Sequence, residues 1–356
     1  MVKRATLLTI AVLAGACGKF ETESLVLDLR VLAIRTNVVN PPSGRTDEAD
    51  EVIDVDMNNL DLGSLRNQLR DVDVTALVSD PGERRALRYT WTLCLADDDG
   101  RCRAGEPRKQ FADRETDDDP DTASSAQYPE AVLPLSVDEA TALTALSLIQ
   151  SDIQKNPVDA LGGVDLNLVL QIGGVDADPA DDVYAMKKLR IAPRIPAGRM
   201  PNINPSLSHL DGSLTTSRVT DMEKEVIQTD ENSSRCGAKP SEDLTAVMQP
   251  GDVITLFPQA EGSRETYVTP GLDGSSIMLT ETLSFQWLST RGSWSDETTG
   301  GGHDILGNQS LLGSDWKSPN VNGTDIVPVQ IWMIERDERL GVHWLETCIY
   351  ASPATP

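Results

Sequence analysis

Alternation of apolar and polar residues recurs through most of the chain, and it predicts strands. In Val72–Ser79, Val72, Val74, Ala76 and Val78 alternate with polar partners. In Leu87-Arg-Tyr89-Thr-Trp91-Thr-Leu93 every second residue is large and apolar. A period of two places such residues on one face of a strand. The same pattern predicts strands over Leu25–Ile34, Val164–Ile172, Val183–Ile191, Asp252–Phe257, Thr282–Ser289, Val327–Ile334 and Val342–Tyr350. Turn signals such as Asp80-Pro81-Gly82 and Gly173-Gly174 separate several of them. Short strands broken by turns predict antiparallel β-sandwiches rather than a parallel sheet.

One segment has the other period. Ser136-Val-Asp-Glu139 reads as a capping box opening a helix over about 136–155, stopped by Asn156-Pro157. Its expected apolar face is Leu143, Leu146, Ile149 and Ile153, packed on the edge of the sandwich. A short helical turn is expected near Leu60–Leu69, and residues 103–130 read as an exposed polar loop.

The run from Ala192 to Pro205 is rich in proline and marks a linker over 193–205. It divides the chain into a first domain, 25–192, carrying the inserted helix, and a second, 206–352. Leu283-Ser-Phe285-Gln-Trp287 repeats Leu87-Arg-Tyr89-Thr-Trp91 position for position, so the halves read as two copies of one sandwich. A Trp on the third strand is also where immunoglobulin-type sandwiches carry one.

The first residues follow a different rule. Met1-Val-Lys3-Arg4 is basic, Ala5–Leu13 is apolar, and Ala14-Gly15-Ala16 precedes Cys17. The apolar run is far below the ~20 residues that cross a bilayer as a helix. This start resembles the bacterial lipoprotein signal, with 1–16 as signal peptide, Cys17 as the lipidated residue and 17–24 as a polar tether. The resemblance implies three acyl chains on Cys17, which anchor it in a lipid bilayer. Gly18 stands where Asp favours inner-membrane retention, so it also implies the outer membrane.

The chain has 356 residues and a formal charge of −25. Without Lys3 and Arg4 of the signal, 29 basic residues face 56 acidic ones, a balance of −27. Nucleic-acid binding rests on Lys and Arg, so nucleic acid is excluded as a partner. With Cys17 set aside, Cys94, Cys102, Cys236 and Cys348 remain, an even set suited to disulfides in an exported chain. Four cysteines allow three pairings. Cys94 and Cys102 flank a turn-like segment that they can close as a hairpin, which leaves Cys236 to Cys348. No Cys-x-x-Cys and no nearby His pair supports zinc.

Candidate chemistry is sparse. Asp117, Asp118, Asp119 and Asp121 offer oxygen ligands for Ca²⁺, against the simpler reading of a solvated acidic loop. Near Leu95 the spacing approaches an EF-hand, but Leu95 stands at the first ligand position and rules it out. Of His209, His303 and His343, none belongs to a hydrolase motif, and His343 is expected to face solvent from a strand. Trp294 and Trp316 lie in Gly-, Ser- and Asn-rich loops, where they either stack on sugars or peptides or cap the core; capping is the preferred reading.

The segments LVLDLRVLAIR, LRYTWTLC and WMIERDERLGVHWLETC resemble uncharacterised lipoproteins of myxobacteria and related δ-proteobacteria. The resemblance implies two immunoglobulin-like antiparallel β-sandwich domains behind a lipid anchor. It brings no activity, cofactor or site residue. The expected role is non-catalytic: surface display, adhesion or envelope assembly, with an envelope or extracellular protein or a glycan as partner. A calcium-dependent or carbohydrate-binding module is the alternative, and a hydrolase with an unrecognised site the second.

Overall fold

The structure, a computed structural model, describes residues 23–54, 62–81, 85–116, 126–155, 162–207, 209–215, 236, 247–259, 264–271, 275–302 and 310–354. Its first half runs β1 (Arg30–Val38), β2 (Glu51–Ile53), α1 (Leu62–Gln68), β3 (Val72–Ser79), β4 (Leu87–Cys94), β5 (Arg108–Glu115), β6 (Ala126–Gln127), β7 (Glu130–Leu133), α2 (Glu139–Lys155), β8 (Val164–Gly174) and β9 (Val183–Pro193). Its second half runs β10 (Leu210–Thr215), β11 (Val247–Met248), β12 (Val253–Pro258), β13 (Thr266–Pro270), β14 (Ser276–Thr280), β15 (Leu283–Ser289), β16 (Ser293–Trp294), β17 (Thr298–Gly300), β18 (Ser314–Lys317), β19 (Val327–Asp337) and β20 (Val342–Ala351).

The chain is mainly β. In the first half β3 pairs with β1 on one side and with β6 and β7 on the other, while a second sheet runs β2-β9-β8-β4-β5. In the second half the sheets run β10-β12-β18-β16 and β11-β20-β19-β15-β17, and β13 pairs β14 as a separate ribbon. The two five-stranded sheets have one plan. A short edge strand lies parallel to the last strand of its half, β2 to β9 and β11 to β20. The antiparallel pairs β8–β9 and β19–β20 follow, then β4 and β15, then β5 and β17. The repeated Leu-x-aromatic-x-Trp motif falls on equivalent strands, β4 and β15. Leu87, Tyr89, Trp91, Leu283, Phe285 and Trp287 are all buried.

Each half has its own apolar core. The first joins Val72, Val74, Ala76 and Val78 of β3 to Trp91 of β4 and Leu166, Leu168 and Leu170 of β8. The second joins Ile254 and Leu256 of β12 to Trp287, Trp316, Ile331 and Met333. A third cluster belongs to both halves: Val26, Leu32, Ala33 and Leu77 meet Leu288, Trp332, Ile334, Val342 and Trp344. Strands β19 and β20 are thus covered on both faces, one by their own core and one by the first half. That coverage explains why both strands are buried along most of their length, polar Gln330, Glu335, His343 and Glu346 included.

Several expectations need correction. Residues 103–130 contain the edge strand β5, whose residues are exposed or half-buried except Ala112. Charges on an edge strand block pairing with other chains, and they hid this strand from the alternation test. Helix α2 is capped by Asp138, not Ser136. The Asp138 carboxylate accepts the Ala140 amide at 3.0 Å and the Thr141 hydroxyl at 2.7 Å. The amide and hydroxyl of Ser136 both turn to Asp71 Oδ1, each at 2.7 Å. Leu143 is 55% exposed, and the buried face is Ala142, Ala145, Leu146, Leu148 and Ile149. The small alanines let the helix approach the sheets closely.

Candidate functional site

The junction of the two halves gathers most of the buried charge. The Pro-rich segment passes through it as a packed spacer, with Asn202 fully buried and Asn204 nearly so. The Asn202 amide N–H donates to Asp50 Oδ1 at 2.6 Å, and its side chain donates to Asp337 Oδ2 at 2.9 Å. The Asn204 side chain donates to Thr36 O at 2.8 Å and Asn37 Oδ1 at 2.7 Å, and accepts the Val342 amide at 2.9 Å. Each asparagine therefore bonds strand or loop residues of the first half and the β19–β20 hairpin of the second. Asn204 uses both the donor and the acceptor of its short side chain, donating to the first half and accepting from the second.

Around the spacer stand Glu48, Asp50 and Glu51 of the first half and Glu281, Glu335 and Asp337 of the second, all buried. Arg339 reaches Glu281 Oε1 at 3.2 Å and Met200 O at 3.0 Å, and lies 4.5 Å over the Tyr267 ring. Arg45 pairs with Glu265, whose second oxygen accepts the Ile203 amide at 3.1 Å. Burial pushes the Asp50 carboxyl up to about 6, opposed by the Asn202 amide and by Arg339. Burial likewise raises Glu51 to about 8 and Glu281 to about 7. Glu335 is raised to about 8 by burial and by the neighbouring Asp337, and its two oxygens are buried without a hydrogen bond. Burial lowers the Lys187 amine to about 8, opposed by Asp337; that amine donates to Leu340 O. Taking charge out of water favours the neutral form of each group. A cavity of about 450 Å³ opens beside this junction, with Glu48, Glu51, Arg70, Arg194 and Met200 among its walls. Arg194 is paired with Asp54 at 2.9 Å there.

The sequence candidates fall elsewhere. Cys17 and the acidic run Asp117, Asp118, Asp119 and Asp121 lie outside the described residues. Among the described residues no group of three or more His, Cys, Asp or Glu is placed to hold a metal ion. Trp316 is not a surface ring: it is fully buried, and its indole N–H donates to Arg291 O at 3.0 Å. Trp294 is half-buried, its ring 5.2 Å from that of Trp287 and its N–H 3.2 Å from Ser289 Oγ. Both rings are consumed by core packing, because Trp294 and Trp316 pair across β16 and β18 over the second core. His343 does not face solvent; it is 4% exposed, opposite Glu335 on the β19–β20 ladder. The junction itself was invisible in the sequence, although Glu48–Glu51 beside an apolar pair, Val52-Ile53, was its one local sign.

The cysteines pair as Cys94–Cys102 and Cys236–Cys348, with Cα separations of 5.6 and 5.3 Å. Two disulfides indicate an oxidising, extracytoplasmic compartment. Among the described residues no helix is long and apolar enough to cross a membrane.

No family model matches this chain, and no curated protein matches it. Among solved structures it is similar to red sea bream transglutaminase, at 10% identity over 92% of this chain and 31% of that one, with a TM-score of 0.23. A likeness of that size establishes neither a shared fold nor an activity.

Proposed function

We propose that the chain is an outer-membrane lipoprotein held by an acylated Cys17, whose two immunoglobulin-like β-sandwich domains form a non-catalytic head for surface display, adhesion or envelope assembly. The observation that carries this reading is the junction. Asn204 ties Thr36 to Val342, and an apolar cluster with Trp332 and Trp344 closes over it. Such a joint suits a head that holds a surface in a fixed orientation. The immunoglobulin-like reading is supported by the plan of the sheets, with a parallel edge strand beside the last strand and a buried Trp on β4 and on β15. The anchor is supported by the basic, apolar and small-residue stretches before Cys17. An acylated cysteine also explains how so acidic a head stays on an anionic membrane without a basic surface.

The test is metabolic labelling with palmitate in an exporting bacterial host, followed by membrane fractionation. Label is expected in the wild type, in the outer-membrane fraction, and absent from Cys17→Ser. Equal label in both proteins, or none in the wild type, removes the anchor from the proposal.

A further inference from the structure

The outward face of the β9-β8-β4-β5 region carries a feature that no part of the proposed role uses. Register places Tyr184, Gln171 and Thr90 in one row across β9, β8 and β4. Val169, Thr92 and Gln110 form the next row, across β8, β4 and β5. Together with Arg101, Cys102 and Arg108 they enclose a cavity of about 480 Å³. Its side chains are nearly all hydrogen-bonding groups.

The charge of this cavity opposes that of the chain. Acidic residues outnumber basic ones by 56 to 31 overall, yet the lining holds two arginines and no carboxylate. Two acids bond to lining residues and are engaged by them. Asp182 binds Arg88 at 2.7 Å and Gln171 at 2.7 Å, and Asp113 accepts the Thr90 hydroxyl at 3.2 Å. Neither the Arg101 nor the Arg108 guanidinium donates a hydrogen bond to a described residue.

The Cys94–Cys102 disulfide explains how Arg101 is held there. It closes a hairpin in which Asp97 N donates to Arg101 O at 2.8 Å and Arg101 N donates to Asp97 Oδ1 at 2.9 Å. The loop lies against the sheet, with the Arg101 guanidinium 4.6 Å from the Tyr184 ring centre. Stacking on one face of a guanidinium leaves its N–H edge free to meet a carboxylate. The cavity is wider than a small inorganic anion needs. Strands β4 and β8 are paired on both sides, so no free backbone edge is offered to a peptide strand.

We propose that this face binds a carboxylate-bearing saccharide. The acid group lies between Arg101 and Arg108, and ring hydroxyls meet Thr92, Gln110 and Gln171. The site is independent of the lipid anchor, and its failure leaves the anchor reading untouched.

The experiment is a titration of the full-length protein, by calorimetry at low salt, with trigalacturonate, a glucuronate-containing trisaccharide, a sialylated trisaccharide and the neutral parent of each. At least one acidic sugar is expected to bind with a Kd below about 1 mM and at least tenfold more tightly than its neutral parent. Arg101→Gln and Arg108→Gln are each expected to weaken that binding at least fivefold. Both side chains are exposed, so an unchanged melting temperature confirms the fold. The Cys94→Ser/Cys102→Ser pair is expected to weaken binding too, by releasing Arg101. Three results each overturn the proposal: no heat from any acidic sugar at 10-fold that concentration, equal binding of acid and neutral parent, or sulfate alone binding as tightly as the best sugar.

Discussion

The Asn202 side chain donates to Asp337 Oδ2 at 2.9 Å across 135 positions of sequence, and the same residue's backbone amide holds Asp50 of the other half. One asparagine thus satisfies a buried carboxylate on each side of the junction. Asp337 also accepts the amides of Arg339 at 2.8 Å and Gly341 at 2.7 Å, which shapes the turn between β19 and β20. The spacer therefore sets the β19–β20 hairpin against the first half by hydrogen bonding as well as by apolar contact.

Asn204→Ala removes the acceptor of the Val342 amide and the donor to Thr36 O, leaving buried backbone groups unpaired. A loss of about 2–3 kcal/mol in urea unfolding is expected. Asn202→Asp should be worse still, because it sets a carboxylate against Asp337. A loss below about 0.5 kcal/mol for Asn204→Ala would show that the junction does not depend on this bond.

The raised carboxyls make stability depend on pH. Asp50 near 6, Glu281 near 7, and Glu51 and Glu335 near 8 all titrate above an unfolded value of about 4. Between those values the folded state binds more protons than the unfolded one. Their contribution is whole below pH 4 and is lost as pH rises through 6 to 8. Lys187, lowered to about 8, works the other way only above that pH. The melting temperature should fall from pH 6 to pH 8, and Glu335→Gln should flatten the slope. A slope identical in Glu335→Gln would assign it to the general charge of the chain instead.

Trp316→Ala should cost about 3–5 kcal/mol by leaving a cavity in the second core, with saccharide binding at the first-half sheet unchanged. A variant of near wild-type stability in guanidinium unfolding would contradict its placement.

The two disulfides should differ in worth. Cys94–Cys102 closes a separation of 8 residues and Cys236–Cys348 one of 112. Chain entropy gives about 2–3 kcal/mol for the first and about 5 for the second. Paired Cys→Ser variants, compared by denaturant midpoint, test the order; a larger loss for the short loop would reverse it.

Strands such as Val72–Ser79 were readable end to end because one face is apolar and the other polar, and that pattern needs no partner to be seen. The duplicated Leu-x-aromatic-x-Trp strand was readable for the same reason. Strand β5 was not, because Arg108–Glu115 sits at an edge and buries only Ala112. The junction was not, because Glu48, Asp50, Asn202, Asn204 and Asp337 are polar residues in stretches that otherwise read as loops. The saccharide face was not, because Thr90, Thr92, Gln171 and Tyr184 are the outward halves of ordinary alternating strands and Gln110 lies on the unread strand β5.

Local patterning alone determined that this chain is mainly β, that it repeats one strand motif in two halves, and that its four later cysteines make an even set. Those properties follow from side-chain periodicity and composition, which act within a few residues. Tertiary structure decided that Trp316 is fully buried and that a proline-rich spacer becomes a hydrogen-bonded joint. It also decided that two arginines of an acidic chain share one cavity. The joint depends on which faces meet across more than a hundred positions, and burial assigns a polar residue its role only once that meeting has occurred.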